Sequence, residues 1–128
     1  MKEDKKIKLY AVYGTLKKGH GNYKWHLENE ETEYLGNTET EAKFSLYSLG
    51  GFPGLKNDGT TKVNIDVFKI NSEEVEEGVD RLEGFREFNH PNNFYNKEVI
   101  DTKFGKAYVY IYNGNIREES LIENGNWG

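Results

Sequence analysis

Apolar and polar positions alternate over several short stretches of this chain, and a helical spacing is sustained over one longer stretch. Residues 7–13, "IKLYAVY", are rich in β-forming side chains and stop at Gly14, which predicts a first strand. Residues 41–49, "EAKFSLYSL", set Phe44 and Leu46 on one side and Tyr47 and Leu49 on the other, as in a strand with both faces partly covered. Residues 62–70, "KVNIDVFKI", alternate Val63, Ile65 and Val67 against Asn64 and Asp66 and read as a half-buried strand. Two further strands, 94–101 and 106–112, flank a turn from Thr102 to Gly105 and form a hairpin, with Ala107, Val109 and Ile111 alternating with Tyr108, Tyr110 and Tyr112.

Helices are fewer. Asn22 is placed to cap a short helix carrying Trp25 and Leu27. In "NSEEVEEGVDRLEG" the cap is Asn71, with Glu74 three residues on, or else Ser72; Gly84 stands at C′. Val75, Val79 and Leu82 fall on one stripe of that helix and predict its buried face. Residues 50–61, dense in Gly, Pro, Asn and Asp, read as a long loop whose path Pro53 and Gly54 help to set. The tail, "NIREESLIENGNWG", has room for a short helical turn before Trp127. The order β-α-β-β-α-β-β lacks the regular alternation of a doubly wound sheet, so the expected class is α+β: a small, mixed or antiparallel, barrel-like sheet with flanking short helices.

Composition narrows the function. A chain of 128 residues is expected to form one domain, 1–128, with a core drawn largely from its nine Tyr and seven Phe. With no cysteine, disulfides, thiolate nucleophiles and zinc–thiolate sites are excluded. The net charge of -5, with no basic, aromatic-interleaved face, argues against nucleic acid or an acidic membrane as partner. The N-terminus lacks the apolar core of a secretory signal and no segment is long and apolar enough to span a bilayer, so the cytoplasm is the expected location. His20, His26 and His90 show no paired metal spacing, and no metal or other cofactor is expected.

Two stretches bear on chemistry. "YGTLKKGHGN", residues 13–22, separates Gly14 and Gly19 as a Walker A loop would, but His20 and Gly21 stand where the lysine and hydroxyl belong. A phosphate cradle is therefore disfavoured, and a plain turn or another pocket remains. Glu83 lies at the edge of the buried stripe, in the last helical turn before Gly84. There the negative end of the helix dipole and partial burial both oppose its charge, which would raise its pKa and suit it to general acid–base work; an ordinary helix-end glutamate is the other reading.

Together, "VYGTL" after the first strand, "LYSLGGFPGL" mid-chain, "VDRLEGF" at the end of the central helix, "YNKEV" opening a late strand and "LIENGNW" in the tail resemble the gamma-glutamylcyclotransferase-like, or AIG2-like, proteins, and especially the YtfP-type bacterial members, from about Leu9 to Trp127. The resemblance implies a small mixed barrel that cyclises a γ-glutamyl group to 5-oxoproline and releases the attached amine, without metal or cofactor. It places Tyr13, Gly14, Thr15 and Leu16 in the substrate-cradling loop and makes Glu83 the acid/base. Pro53 and Tyr95 are expected to line the same pocket, Tyr95 through its hydroxyl unless it is simply a sheet ring. The implied partner is a small γ-glutamyl compound or another anionic metabolite, either turned over or, in a non-catalytic member, only bound. Lys97 stands where family members often carry arginine, and a lysine does not offer a carboxylate the same two-pronged contact.

Overall fold

A computed structural model of the chain describes residues 7–117 and 120–127. Residues 1–6, part of the stretch read as non-secretory, lie outside the described residues, as do 118–119 within the predicted helical turn of the tail. No helix among the described residues is long and apolar enough to cross a membrane.

Among the described residues, seven strands and two helices follow one another as β1 (Leu9–Val12), α1 (Tyr23–His26), β2 (Thr32–Glu39), β3 (Phe44–Ser48), β4 (Pro53–Thr61), β5 (Asn64–Ile70), α2 (Glu73–Leu82), β6 (Tyr95–Thr102) and β7 (Gly105–Tyr112). Five strands pair in the order β2-β5-β1-β7-β6, and β3 and β4 form a separate two-stranded sheet. The central pair, β1 and β7, is parallel, with Leu9 opposite Ala107; the other neighbours are antiparallel. This is the mixed α+β architecture expected.

Strand periodicity builds a core on each side of the main sheet. On one face Ala11, Ile65, Val67, Ala107, Val109 and Ile111 meet Phe44, Leu46 and Leu55 of the β3–β4 sheet. On the other, Tyr10, Val12, Phe68, Ile70 and Tyr110 meet Leu27, after α1, and Val79 of α2. The alternation read in β7 is thus a strand buried twice, aliphatic on one side and aromatic on the other. The strand at 62–70 is also covered on both faces, contrary to its half-buried reading. Its Asp66 is buried and satisfied by the Lys18 amide, at 2.8 Å, and by Asn37 Nδ2, at 2.8 Å.

Helix α2 is capped by Ser72, whose Oγ accepts from the Val75 amide at 3.3 Å. At its other end Phe85 N–H donates to Asp80 O and Gly84 N–H to Arg81 O, with Gly84 at φ +67, a Schellman turn that only the glycine adopts without strain. Val79 of the predicted stripe is buried, whereas Leu82 is exposed and belongs to a cavity rim instead. Asn22 does not cap α1 through its side chain, and Trp25 points to solvent.

Two strands escape the pattern. β2 is an edge strand, "TEYLGNTE", whose pairing with β5 shifts at Gly36 and leaves Leu35 to pack on the core. Its sequence carries little alternation because only one edge of it bonds. Residues 50–61, read as a loop, are largely β4: the register jumps from Lys56 to Thr61, so the Asn, Asp and Gly residues that suggested turns form an irregularity inside a hairpin. At Gly59 any Cβ would collide with the Phe44 carbonyl, which explains the glycine there. In the tail, Leu121 bridges to Tyr47, and Ile122 N–H donates to Leu46 O at 2.7 Å.

Candidate active site

Beyond β1 the chain turns at once: Lys17 N–H donates to Gly14 O at 3.0 Å. The amides of Gly14, Thr15 and Leu16 make no hydrogen bond among the described residues, so they remain available to an anion or a carbonyl oxygen. The loop is pinned on both sides. Asn22 Nδ2 donates to Thr15 Oγ1 at 2.8 Å and Asn22 N–H to Thr15 O at 2.9 Å. At the outer end Lys17 Nζ donates to Asn64 Oδ1 at 2.7 Å and to Asn126 Oδ1 at 3.0 Å. The lysines therefore brace the loop on its far side, and the features left for a ligand are the backbone and the Thr15 hydroxyl.

Glu83 follows the last residue of α2 and is half-buried. Burial pushes its carboxyl up to about 7, and the charge of Asp80 adds to the shift. The expected rise is present, with the neighbouring carboxylate as its second cause. Among the described residues nothing ion-pairs or hydrogen-bonds the Glu83 carboxylate, Arg86 included, so no partner holds it in the charged form.

The two features meet. A cavity of about 330 Å³ is lined by Tyr13, Gly14, Thr15 and Leu16 from the loop, Pro53 from β4, Tyr95 from β6 and Glu83 from the helix end. The structure therefore places the seven residues expected to form the site around one cavity, although Glu83 and Thr15 come from distant parts of the chain. Asn22, Phe52, Leu82, Phe94 and Tyr110 also line it and were not anticipated. Only the turn-like setting of Phe52, after two glycines, hinted at exposure; the others read as cap, stripe or sheet residues.

Both tyrosines of this group line the cavity, and the hydroxyl of each is engaged in a hydrogen bond within the protein. Tyr95 OH donates to Pro53 O at 2.6 Å, so its hydroxyl ties β6 to β4 while the ring faces the cavity. Tyr13 OH donates to Tyr110 O at 2.7 Å and accepts from Leu55 N–H at 3.2 Å. Burial holds both phenols above their ordinary range, so they stay protonated as ties. Gly14 is packed on Pro53: a Cβ there would lie 2.7 Å from Pro53 Cγ and Cδ. Gly14→Ala is expected to push the β4 wall away and to lower ligand affinity roughly tenfold or more, read by calorimetry, while costing about 1–3 kcal/mol of stability as overpacking does.

Lys97 does not line the cavity. Its side chain is only 6% exposed, and Nζ sits 3.0 Å from Asp80 Oδ1 and 2.8 Å from Tyr10 OH. Four rings surround it, with centroids 4.7 Å (Tyr108), 4.9 Å (Tyr10), 5.0 Å (Phe85) and 5.9 Å (Tyr110) away. The same Asp80 accepts from Tyr110 OH at 2.6 Å. The concern that lysine replaces a carboxylate-gripping arginine thus concerns a residue paired with Asp80, and of this group only Tyr110 lines the cavity.

One cavity beside a small mixed sheet thus holds both a carboxyl whose pKa is raised by burial and loop amides with no hydrogen-bond partner among the described residues. Residues 10–128 match the family described as "Gamma-glutamyl cyclotransferase, AIG2-like", and the chain belongs to that family. A relative in Vibrio cholerae is 35% identical over 119 residues, 93% of this chain and 94% of its own. "Gamma-glutamylcyclotransferase family protein YtfP" of Escherichia coli K12 is 31% identical over 116 residues, covering 91% and 92%. The solution structure of Escherichia coli YtfP superposes with a TM-score of 0.68 at 27% identity, covering 93% of this chain and 95% of that one. A crystal structure of an uncharacterized protein from Pyrococcus horikoshii gives 0.73 at 26%, covering 94% and 89%.

Proposed function

We propose that this protein is a γ-glutamyl cyclotransferase that converts a small γ-glutamyl amine or peptide to 5-oxoproline and the free amine, with Glu83 as its acid/base. The observation that carries this reading is that Glu83, the one charged side chain among the described residues lining the cavity, has its carboxyl pushed up to about 7 by burial and shares that cavity with the amides of Gly14 to Leu16, which have no hydrogen-bond partner among the described residues. The substrate brings its own nucleophile. Its α-nitrogen attacks the γ-carbonyl carbon, a new C–N bond closes the five-membered ring, and the bond to the leaving nitrogen breaks. Two protons leave the α-nitrogen overall and two reach the leaving nitrogen; a carboxyl near pKa 7 can carry each in turn.

The loop amides suit the substrate carboxylate or the oxyanion that forms on the γ-carbonyl, and the pinning of the loop by Asn22 and Lys17 keeps them preorganised. The cavity stands near the lower end of the roughly 300–1,000 Å³ usual for ligand pockets, which favours small γ-glutamyl compounds over a tripeptide such as glutathione. Incubation with a panel of γ-glutamyl amines and dipeptides, with detection of 5-oxoproline, tests the reading. Release from at least one member is the expected result; binding of panel members without any release would leave a binding protein and overturn the cyclotransferase.

A further inference from the structure

Further along the loop that carries Gly14 to Leu16, we infer that a second pocket binds the phosphate group of a small metabolite through Lys17, Lys18 and His20. The pocket is open, with a volume of about 490 Å³, and the loop, β2, β5 and the tail each contribute to its wall. The tail is fixed there by the Asn64 N–H, which donates to Gly125 O at 2.8 Å. None of its lining residues belongs to the cavity of Glu83, so a ligand here is additional to the substrate. The stretch that fails as a Walker A loop thus offers an anion its side chains rather than a backbone cradle.

The charge of Lys17 carries the argument. The residue is only 7% exposed, yet its ammonium forms no ion pair among the described residues. Nζ donates to two amide oxygens, Asn64 Oδ1 at 2.7 Å and Asn126 Oδ1 at 3.0 Å, which leaves one N–H over. Burial opposes its charge and lowers its pKa, and the nearby Asp66 offsets this only in part. A buried ammonium without a counter-ion is costly, and an anion in the pocket relieves that cost. Asp66 is otherwise engaged: its Oδ2 accepts from the Lys18 amide at 2.8 Å, and its Oδ1 from Asn37 Nδ2 at 2.8 Å and the Tyr34 hydroxyl at 3.4 Å. Lys18 Nζ lies 4.6 Å from the centre of the Tyr34 ring and has no hydrogen-bond acceptor among the described residues. The His20 ring and Asn126 Nδ2 line the same pocket and are likewise without partners there. Two ammonium groups with these N–H donors outweigh one carboxylate whose oxygens are occupied, and they suit a phosphate near charge -2 better than a singly charged carboxylate. Trp127, half-buried in the same wall, is available to the carbon part of a phosphate ester.

Three probes titrated into isotope-labelled protein and followed by NMR decide it: phenyl phosphate, inorganic phosphate and benzoate. At least one of the two phosphates should bind saturably and move the signals of the Asn126 side-chain amide and the Trp127 indole, with benzoate weaker by about tenfold or more. The tighter of the phosphates shows whether the group belongs to an ester or to the free ion. Affinity should fall as salt is raised. Lys17→Met removes the buried charge and should abolish binding. Lys18→Gln, at the exposed mouth, should weaken it roughly fivefold or more and keeps the test readable if the Lys17 variant loses its fold. Benzoate binding as tightly as the phosphates, no saturable binding of either phosphate, signals that move at Phe94 and Tyr95 in place of Asn126 and Trp127, or a Lys18→Gln protein that binds like wild type would each overturn the inference, and none of them bears on the chemistry at Glu83.

Discussion

Replacing Glu83 by glutamine should lower 5-oxoproline release by roughly 10²–10⁴-fold while leaving substrate affinity similar, because the amide keeps the size of the carboxyl but cannot take a proton from the substrate ammonium. Wild-type kcat/KM should rise with pH through about 7, where the carboxyl ionises, and fall about tenfold per unit below it. The residual activity of the variant should lack that limb. Stability should move in the opposite direction. The carboxyl titrates near 4.5 in the unfolded chain and near 7 in the fold, so its protonated form stabilises the protein fully below 4.5 and that contribution is lost as pH rises through 7. Each pKa unit corresponds to about 1.4 kcal/mol, and allowing for the partial exposure of Glu83 leaves about 1–2 kcal/mol. Glu83→Gln should therefore melt a few degrees higher than wild type at pH 8 and at about the same temperature at pH 4. A variant that keeps near-wild-type turnover would remove Glu83 from the mechanism.

Lys97→Met should be the most destabilising of these substitutions, at about 2–4 kcal/mol and roughly 10 °C in melting temperature, because it strands the Asp80 carboxylate that Lys97 pairs at 3.0 Å. Methionine suits the four-ring enclosure, so the loss measures the charge rather than a cavity. Its effect on chemistry follows from the same geometry. Asp80 is the second cause of the raised Glu83 pKa, and without Lys97 to offset it the charge should push the Glu83 limb of the pH profile further up. The double change Lys97→Met with Asp80→Asn should recover most of the stability and return the limb to a lower pH. If the single variant melts like wild type, the buried pair contributes nothing to stability.

Much of the site was legible in the chain. The Gly14 turn stands directly after a strand, and Glu83 stands between a helical stripe and a C′ glycine; both positions follow from local periodicity and capping. The raised pKa of Glu83 followed in direction from its expected partial burial at the edge of the helical stripe, but Asp80's part in it did not, because a residue three positions back on the helix acts there as one of an assembled group with Lys97 and Tyr110. The same limit hid β2 and β4. An edge strand and a bulged hairpin carry weak alternation, since their pairing is determined by what lies beside them.

Local sequence by itself determined the element types of β1, β3, β5, β6, β7 and α2, the turn at Gly14, and the carboxyl at the end of α2, because strand and helix periods, caps and turn chemistry are written in neighbouring residues. Only the tertiary structure decided that Tyr95 and Tyr13 spend their hydroxyls as ties, that Lys97 is enclosed and paired with Asp80, and that Phe52, Leu82 and Phe94 form one apolar rim. The physical reason is that a side chain's partners, its burial and hence its charge state depend on groups far away in sequence, which come within range only when the two sheets and α2 close around the cavity.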